Sequence, residues 1–234
     1  MKIERIRTST SASSPPRIDD RIDSELLSEF QPVTTDEIAK LLVKSPAKQC
    51  LLDPAPTWLI KQCSDIVSPV IAAIRNASFD QVTFPHCCKK AIIRPRLKKP
   101  NLDLNDVASY RPISNRSFLS KVVEKVVDVR LSDHMNRHHL LPVFQSAYRL
   151  HHSTETALAR IINDMILVVD DGRVGALTLL DLSAAFDTVD HSVLTNVMRK
   201  RFGVSGKALD WVEEYVRDRS QAVRVNCSES PVRY

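Results

Sequence analysis

Glycine is scarce in this sequence, with four residues among 234, well below the average usage of about 7%. Phosphate-binding loops of the G-x-x-x-x-G-K-[ST] and G-x-G-x-x-G kinds need several glycines close together, because the backbone itself approaches the phosphates. No segment of the chain provides such a cluster. A glycine-rich phosphate loop is therefore excluded.

Long apolar runs are also lacking. No stretch approaches the ~20 apolar residues that a transmembrane helix needs, and the first residues, M-K-I-E-R-I-R-T-S-T-S-A-S-S-P-P, lack the apolar segment of a secretory signal. We therefore expect an intracellular protein with no membrane partner, in either nucleus or cytoplasm. Residues 1–24 contain too few apolar side chains to pack and are predicted to form a disordered tail.

The five cysteines show no C-x₂₋₄-C spacing of the kind that structural zinc sites use. His86, Cys87 and Cys88 are consecutive, but adjacent side chains rarely converge on one ion, and a second cluster is missing. The cysteines are therefore predicted to be buried or half-buried thiols rather than metal ligands.

The most informative segment is residues 174–191, V-G-A-L-T-L-L-D-L-S-A-A-F-D-T-V-D-H. Its short apolar run predicts a buried strand that ends at Asp181. A carboxylate there is costly unless it is paired, hydrogen-bonded or bound to a metal, and ligand sites tend to lie at the carboxyl ends of strands. Mg²⁺ accepts such a ligand, so the pattern favours magnesium-dependent phosphoryl or nucleotidyl transfer.

Other interpretations of these acids stay open. An aspartyl nucleophile of the phosphohydrolase kind wants a second acid two residues later, and that position holds Ser183. Asp181 could instead cap the following turn. Asp190 is better interpreted as a cap of a helix beginning at His191, and for Asp187 capping and chemistry are equally supported.

Basic residues are concentrated in one part of a chain whose formal net charge is +5 and whose pI is near 9.0. A solvated charged face is the usual explanation of such a run. Two features favour a polyanionic partner instead. The run lies on a predicted strand and loop, and an arginine in a proline-stiffened segment follows it. Arginine binds phosphate in a planar, bidentate way. The cluster consists of Lys89, Lys90, Arg94, Arg96, Lys98 and Lys99, followed by Arg111 and Arg116.

The hydrophobic periodicity predicts a helix-rich α+β fold. A capping box at Thr34 and Glu37 should open the first helix, and Pro95 should place the strand that begins at Lys90 at a sheet edge. Residues 66–77 should form a helix buried on most sides, and residues 221–226 a strand without a partner. The remaining predicted helices cover residues 35–44, 57–62, 118–138, 154–169, 191–202 and 207–217, with an extended piece at 110–114.

Four segments carry a resemblance to a known family when taken in order. They are L-D-P-A-P-T-W-L at residues 52–59, Y-R-P-I-S-N at 110–115, F-Q-S-A-Y-R with H-S-T-E-T-A between 144 and 157, and L-D-L-S-A-A-F-D at 180–187. Together they resemble the reverse transcriptases of non-LTR, LINE-type (Jockey-like) retrotransposons. The resemblance implies a partial right-hand polymerase with an incomplete palm sheet: a helical N-terminal extension at 25–89, fingers at 90–172, and the first part of the palm at 173–234.

The resemblance also implies roles for individual residues. Asp181 matches the first metal-binding aspartate, for Mg²⁺ or alternatively Mn²⁺, and Phe186 matches the aromatic steric gate that excludes a 2′-hydroxyl. Arg111 resembles the arginine that grips the incoming triphosphate, helped by Lys98 or Lys99. The implied partners are an RNA template, a DNA primer or RNA–DNA hybrid, and dNTPs. Nucleic-acid contacts are expected from Lys90, Arg94, Arg96 and Arg149.

Two further family motifs, G-x-P-Q-G-S and [FY]-A-D-D, do not occur in this sequence. Asp170-Asp171 is interpreted as a helix-to-turn junction rather than the second of these. The chain is therefore predicted to be a fragment of a retrotransposon polyprotein that is inactive alone, because two-metal catalysis needs acids from both palm motifs. The alternatives are a non-catalytic nucleic-acid-binding remnant and, because of the strand without a partner and the unfinished palm, a degenerate copy without a stable fold.

Overall fold

The computed structural model describes residue 8 and residues 27–48, 50–181 and 188–233. The predicted tail of residues 1–24 lies almost wholly outside them. Within the described ranges there are seven α-helices and a small sheet, which confirms a mixed, helix-rich fold. The helices are α1 (Thr35–Lys44), α2 (Thr57–Gln62), α3 (Ser64–Asp80), α4 (Phe118–Arg137), α5 (Thr154–Asp170), α6 (His191–Phe202) and α7 (Gly206–Val216); the strands are β1 (Lys90–Leu97), β2 (Tyr110–Asn115), β3 (Ser220–Val225) and β4 (Ser228–Glu229).

The described residues fall into two compact units. Residues 135–181 with 188–190 form the smaller unit, and residues 27–48, 50–134 and 191–233 form the larger one. None of the described helices is long and apolar enough to cross a membrane.

Local sequence signals explain where two helices begin. The Thr34 hydroxyl accepts a hydrogen bond from the Glu37 amide at 3.2 Å, as predicted for α1. The Glu37 carboxylate does not complete the capping box, because both of its oxygens accept from Arg130 at 2.7 Å. A reciprocal box opens α5 instead, between Ser153 and Thr156.

Trp211 of α7 lies at the centre of the larger unit's core. Its indole N–H donates to the Ser78 hydroxyl at 3.0 Å, and aromatic rings surround it with centroids 5.5–5.9 Å away. These rings belong to Phe30, Phe79, Phe84 and Tyr215. Edge-to-face and stacked pairs of this kind add to the stabilisation that burial itself provides.

Helix α3 corrects the prediction of a helix buried on most sides. Ile66, Val70 and Ile74 recur every fourth residue and are exposed, because α3 packs on α1 and α7 through its opposite face only. That opposite face contains the fully buried Arg75, whose guanidinium lies 3.6 Å from the Phe79 ring centroid and 4.6 Å from that of Trp211.

The sheet has the strand order β2-β1-β3-β4. Strand β3 runs parallel to β1, from the pair Lys90–Ser220 to the pair Ile93–Val223. The prediction that residues 221–226 lack a partner is therefore wrong, because a parallel pairing joins segments that are distant in sequence and leaves no local signal. The prediction that β1 is an edge strand is wrong, because β1 lies between β2 and β3. Pro95 is tolerated because it lies beyond the β3 pairing, in the half of β1 that bonds to β2 alone.

The predicted buried strand before Asp181 is not observed. Residues 173–181 belong to no strand, and Leu180 is 91% exposed. Among the described residues none pairs with this segment as a strand, and Leu179 is 82% exposed as well. Helix α5 likewise buries none of its predicted apolar stripe.

Candidate functional site

The antiparallel pair β1–β2 places three arginines on one face. Arg96 lies directly opposite Arg111, and Arg94 lies opposite Ile113. Residues paired across strands share a face, as do residues two apart along one strand. Arg94, Arg96 and Arg111 therefore point to the same side, and all three are exposed. We call this surface the arginine face.

The arginine face carries charge that no described carboxylate neutralises. None of its three guanidinium groups takes part in an ion pair of the described residues. Like charges directly opposite each other on a sheet are destabilising, so the pair Arg96–Arg111 is suited to an anion bound between or above the two groups. Planar guanidinium groups bind phosphate oxygens in a bidentate manner.

The predicted lysines differ in what they contact. The Lys98 amine donates to the Ala108 carbonyl at 2.7 Å, and the Lys98 amide donates to Ser109 at 2.9 Å, so Lys98 closes the base of the β1–β2 connection. Lys99 is exposed and makes no side-chain hydrogen bond that the described residues show. Lys90 pairs with Glu229 at 3.2 Å, which reduces its charge toward a ligand.

A polar network attaches the arginine face to the core. Arg116, just after β2, pairs with Glu124 of α4, and the Tyr215 hydroxyl donates to the same carboxylate at 3.1 Å. Burial and the nearby Glu124 charge raise the pKa of Tyr215. Lys89, directly before β1, is buried and pairs with Glu214 of α7 at 2.6 Å. Sequence reasoning placed Lys89 and Arg116 in the basic cluster, whereas the structure uses both as internal anchors.

The consecutive cysteines do not build a metal site. Their Sγ atoms are 4.0 Å apart, and burial, together with the adjacent Cys87, raises the pKa of Cys88 to about 12. Among the described residues no group of three or more His, Cys, Asp or Glu side chains could hold a metal ion. Of the five thiols, Cys87 and Cys227 are exposed, so the prediction of buried or half-buried thiols holds for the other three only.

In the smaller unit, Arg149 stabilises the loop between α4 and α5. Its Nη1 donates to the carbonyls of Pro142 and Gln145, at 3.3 and 3.2 Å. The same loop exposes Phe144, and the guanidinium of Arg160 lies 4.6 Å from the centroid of that ring. Sequence reasoning missed Phe144 and Arg160, although aromatic residues interleaved with basic ones between 144 and 160 are a usable signal.

Asp181 is exposed and is the last described residue before the gap at 182–187. Phe186 and Asp187 lie in that gap, so the steric-gate prediction and the role of Asp187 concern residues outside the described ones. The Asp170-Asp171 pair is confirmed as a helix-to-turn junction: α5 ends at Asp170, and Asp171 pairs with Arg173 at 2.7 Å. Asp190 directly precedes α6, which begins at His191 as predicted.

Comparison with known protein families identifies the chain. Residues 97–234, more than half of it, match the family model of the reverse transcriptase (RNA-dependent DNA polymerase). The chain belongs to the reverse transcriptase family. Lys98, Lys99, Arg111, Arg149 and Asp181 lie within the matched part of this reverse transcriptase fragment, whereas Lys90, Arg94 and Arg96 precede it.

Curated relatives place the fragment within one branch of reverse transcriptases. It is 30% identical over 202 residues, 86% of its length, to a probable RNA-directed DNA polymerase from transposon BS of Drosophila melanogaster. It is 30% identical over 174 residues, 73% of its length, to the RNA-directed DNA polymerase from mobile element jockey of the same organism. A third relative, a probable RNA-directed DNA polymerase from transposon X-element, is 27% identical over 199 residues, 83% of the chain.

The prediction of a non-LTR, LINE-type reverse transcriptase fragment is therefore confirmed. The matched regions make up 22%, 19% and 21% of these three relatives, so the chain spans about a fifth of their length.

Proposed function

We propose that this fragment supplies the nucleotide- and nucleic-acid-binding part of an RNA-directed DNA polymerase that extends a primer on an RNA template during retrotransposition. Residues 90–172 then correspond to the fingers and residues 173–234 to the first part of the palm, with 25–89 as a helical N-terminal extension. The observation that carries the proposal is the arginine face, three guanidinium groups on one side of a hairpin that form no ion pair with the described residues, in a chain of the reverse transcriptase family.

In this proposal Arg111 grips the triphosphate of the incoming dNTP. Arg96, directly opposite, offers a second guanidinium to the same anion. Of the two candidate lysines, the contacts favour Lys99, since the Lys98 amine is already bonded to a backbone carbonyl. The proposed contacts to the template, primer or RNA–DNA hybrid remain Lys90, Arg94, Arg96 and Arg149, with Arg149 acting through the loop that it holds together.

The proposed activity also involves a metal ion. A polymerase of this kind would use Mg²⁺, with Mn²⁺ as the alternative, and Asp181 would be one ligand. Mg²⁺ bound by protein usually has one or two carboxylates plus substrate phosphates, a role that the exposed Asp181 carboxylate fits. Among the described residues no group of three or more His, Cys, Asp or Glu side chains could hold a metal ion, and no catalytic step is assigned to them. Phe186 remains the proposed steric gate.

A salt titration tests the binding proposal. Binding of a fluorescent RNA–DNA hybrid is measured by anisotropy at several salt concentrations for the wild-type chain, Arg94→Ala and Arg96→Ala. Each substitution should weaken binding and reduce the slope of log affinity against log salt by about one, since one phosphate contact is lost. Lys125→Ala is the control, because Lys125 is exposed in the same unit but already paired with Asp128. Equal slopes for all four proteins would overturn the assignment of the arginine face.

Primer extension tests the catalytic part. We expect no Mg²⁺-dependent DNA synthesis from the 234-residue chain alone on a primed RNA template. Clear synthesis would contradict this, and synthesis abolished by Asp181→Asn would show that the chain holds a complete site.

The second candidate function is a non-catalytic nucleic-acid-binding remnant of a retroelement. It is favoured by the pI near 9.0 and by the exposed arginine face, which could bind nucleic acid without any catalysis. The two functions differ in one readout: only the polymerase predicts that dNTPs compete for the arginine face, with weaker competition in Arg111→Ala.

A further inference from the structure

The loop between α4 and α5 presents aromatic rings to solvent. Phe144 is 77% exposed and Tyr148 is 89% exposed, although each ring is large enough to stabilise a core by burial. The loop is held in shape by its own bonds, among them the two from Arg149 to backbone carbonyls and one from the Gln145 amide group to the Ala147 carbonyl at 3.2 Å. The rings are thus displayed by an internally bonded loop.

One ring already has a cation beside it. The guanidinium of Arg160, one and a half turns into α5, lies over the Phe144 ring at 4.6 Å from its centroid. With 77% of its surface open, the ring still offers a free face on the other side. An aromatic ring backed by arginine combines a stacking surface with a positive charge, and these are the two components with which proteins hold single-stranded nucleic acid.

We propose that Phe144 and Arg160 form a stacking platform for an unpaired base of a single-stranded nucleic acid, with Tyr148 as a second ring on the same loop. This rests on the proposed function, because it names the strand that the fragment contacts. The charge agrees with it: residues 142–160 contain Arg149 and Arg160 against a single acid, Glu155. The base stacks on the Phe144 ring, and the neighbouring phosphate pairs with the Arg160 guanidinium.

A protein partner is the competing occupant, since Val143 and Leu150 of the same loop are also exposed. The cation over the ring favours nucleic acid, because a purely apolar partner would leave the Arg160 charge uncompensated once water is excluded. The experiment therefore uses a readout that only base stacking produces.

The probe is a single-stranded RNA of about 12 nucleotides with one 2-aminopurine, whose fluorescence falls when the base stacks. The wild-type chain should quench it, and Phe144→Ala should bind about 10-fold more weakly with the quenching lost. Phe144→Trp should retain both. Val143→Ala, an exposed apolar neighbour, is the matched control and should match the wild type. Arg160→Ala should weaken binding and also reduce the salt slope.

The outcomes separate this proposal from the broader one. If Phe144→Ala binds within twofold of the wild type, or loses affinity equally for the single strand and for the same sequence as a duplex, the stacking platform is refuted. The arginine-face slopes measured with the hybrid are independent of that result. Absence of any binding by the wild type would refute both. Far-ultraviolet circular dichroism, which reports on the helices of both units, checks that each variant is folded.

Discussion

The buried pair Lys89–Glu214 allows a quantitative test of how the arginine face is anchored. The Lys89 side chain is 4% exposed and that of Glu214 is 27% exposed, with 2.6 Å between Nζ and Oε1. At that distance and an effective dielectric constant of about 20, the Coulomb attraction is roughly 6 kcal/mol. Removing the two charges from water costs several kcal/mol per ion, so the intact pair contributes little net stability.

The loss of stability should therefore depend on which of the two partners is replaced. Glu214→Gln leaves a buried ammonium without a counterion and should lower the free energy of unfolding by about 3 kcal/mol. Lys89→Met removes the more deeply buried charge and leaves a carboxylate that water and Arg217, 4.0 Å away, can reach. We expect that variant to lose only about 1 kcal/mol, and the double variant to resemble it, because the unpaired ammonium is gone.

The assay is urea unfolding followed by tryptophan fluorescence in a Trp58→Phe background. Trp58 is exposed and Trp211 is buried, so the remaining signal reports on the core of the larger unit. Asp128→Asn, which breaks an exposed pair with Lys125 in the same unit, is the control and should change stability by less than about 0.5 kcal/mol. A Lys89→Met cost equal to or above that of Glu214→Gln would refute the reasoning.

Two further predictions follow from buried polar groups. Burial and the charge of Arg130 lower the pKa of Arg75 to about 9, and its guanidinium nitrogens make no hydrogen bond to any of the described residues. In urea unfolding Arg75→Met should change stability by less than about 1 kcal/mol. Arg75→Lys should cost about 2 kcal/mol, because an ammonium cannot stack flat on the two rings. A larger loss for Arg75→Met than for Arg75→Lys would contradict this. Because the pKa of Tyr215 is raised in the folded state, the stability it contributes is complete below its unfolded pKa of about 10 and is lost as pH rises through the folded value. Urea midpoints from pH 8 to 11 should therefore fall less in Tyr215→Phe than in the wild type, and parallel curves would exclude this role.

Local signals predicted most of the helices well. The first helix, 35–44, and the helices at 57–62 and 191–202 have the predicted bounds, because caps, prolines and periodic apolar residues act within one or two turns. The family was likewise readable from four short motifs in order. The basic cluster was identified as a whole, but its members could not be sorted, since burial of Lys89 depends on a carboxylate 125 residues away.

The segment before Asp181 shows the opposite case. Its apolar run predicts a strand, but a strand also needs a neighbouring segment that accepts its backbone hydrogen bonds. Among the described residues no strand pairs with it. The strand at 220–225, interpreted as unpaired, found its partner in β1 through a parallel pairing without a local turn. The hypothesis of a chain without a stable fold loses one of its two grounds, the unpaired strand, whereas the unfinished palm is untested.

What the sequence determined by itself is therefore the set of local elements, the family and the residue types available for phosphate and metal. Only the tertiary structure decided that Arg94, Arg96 and Arg111 share one face, that Lys89 and Arg116 are anchors, and that Arg160 lies over Phe144. The physical reason is that strand register, burial and ring contacts are relations between segments far apart in the chain. The residues adjacent in sequence therefore do not indicate these relations.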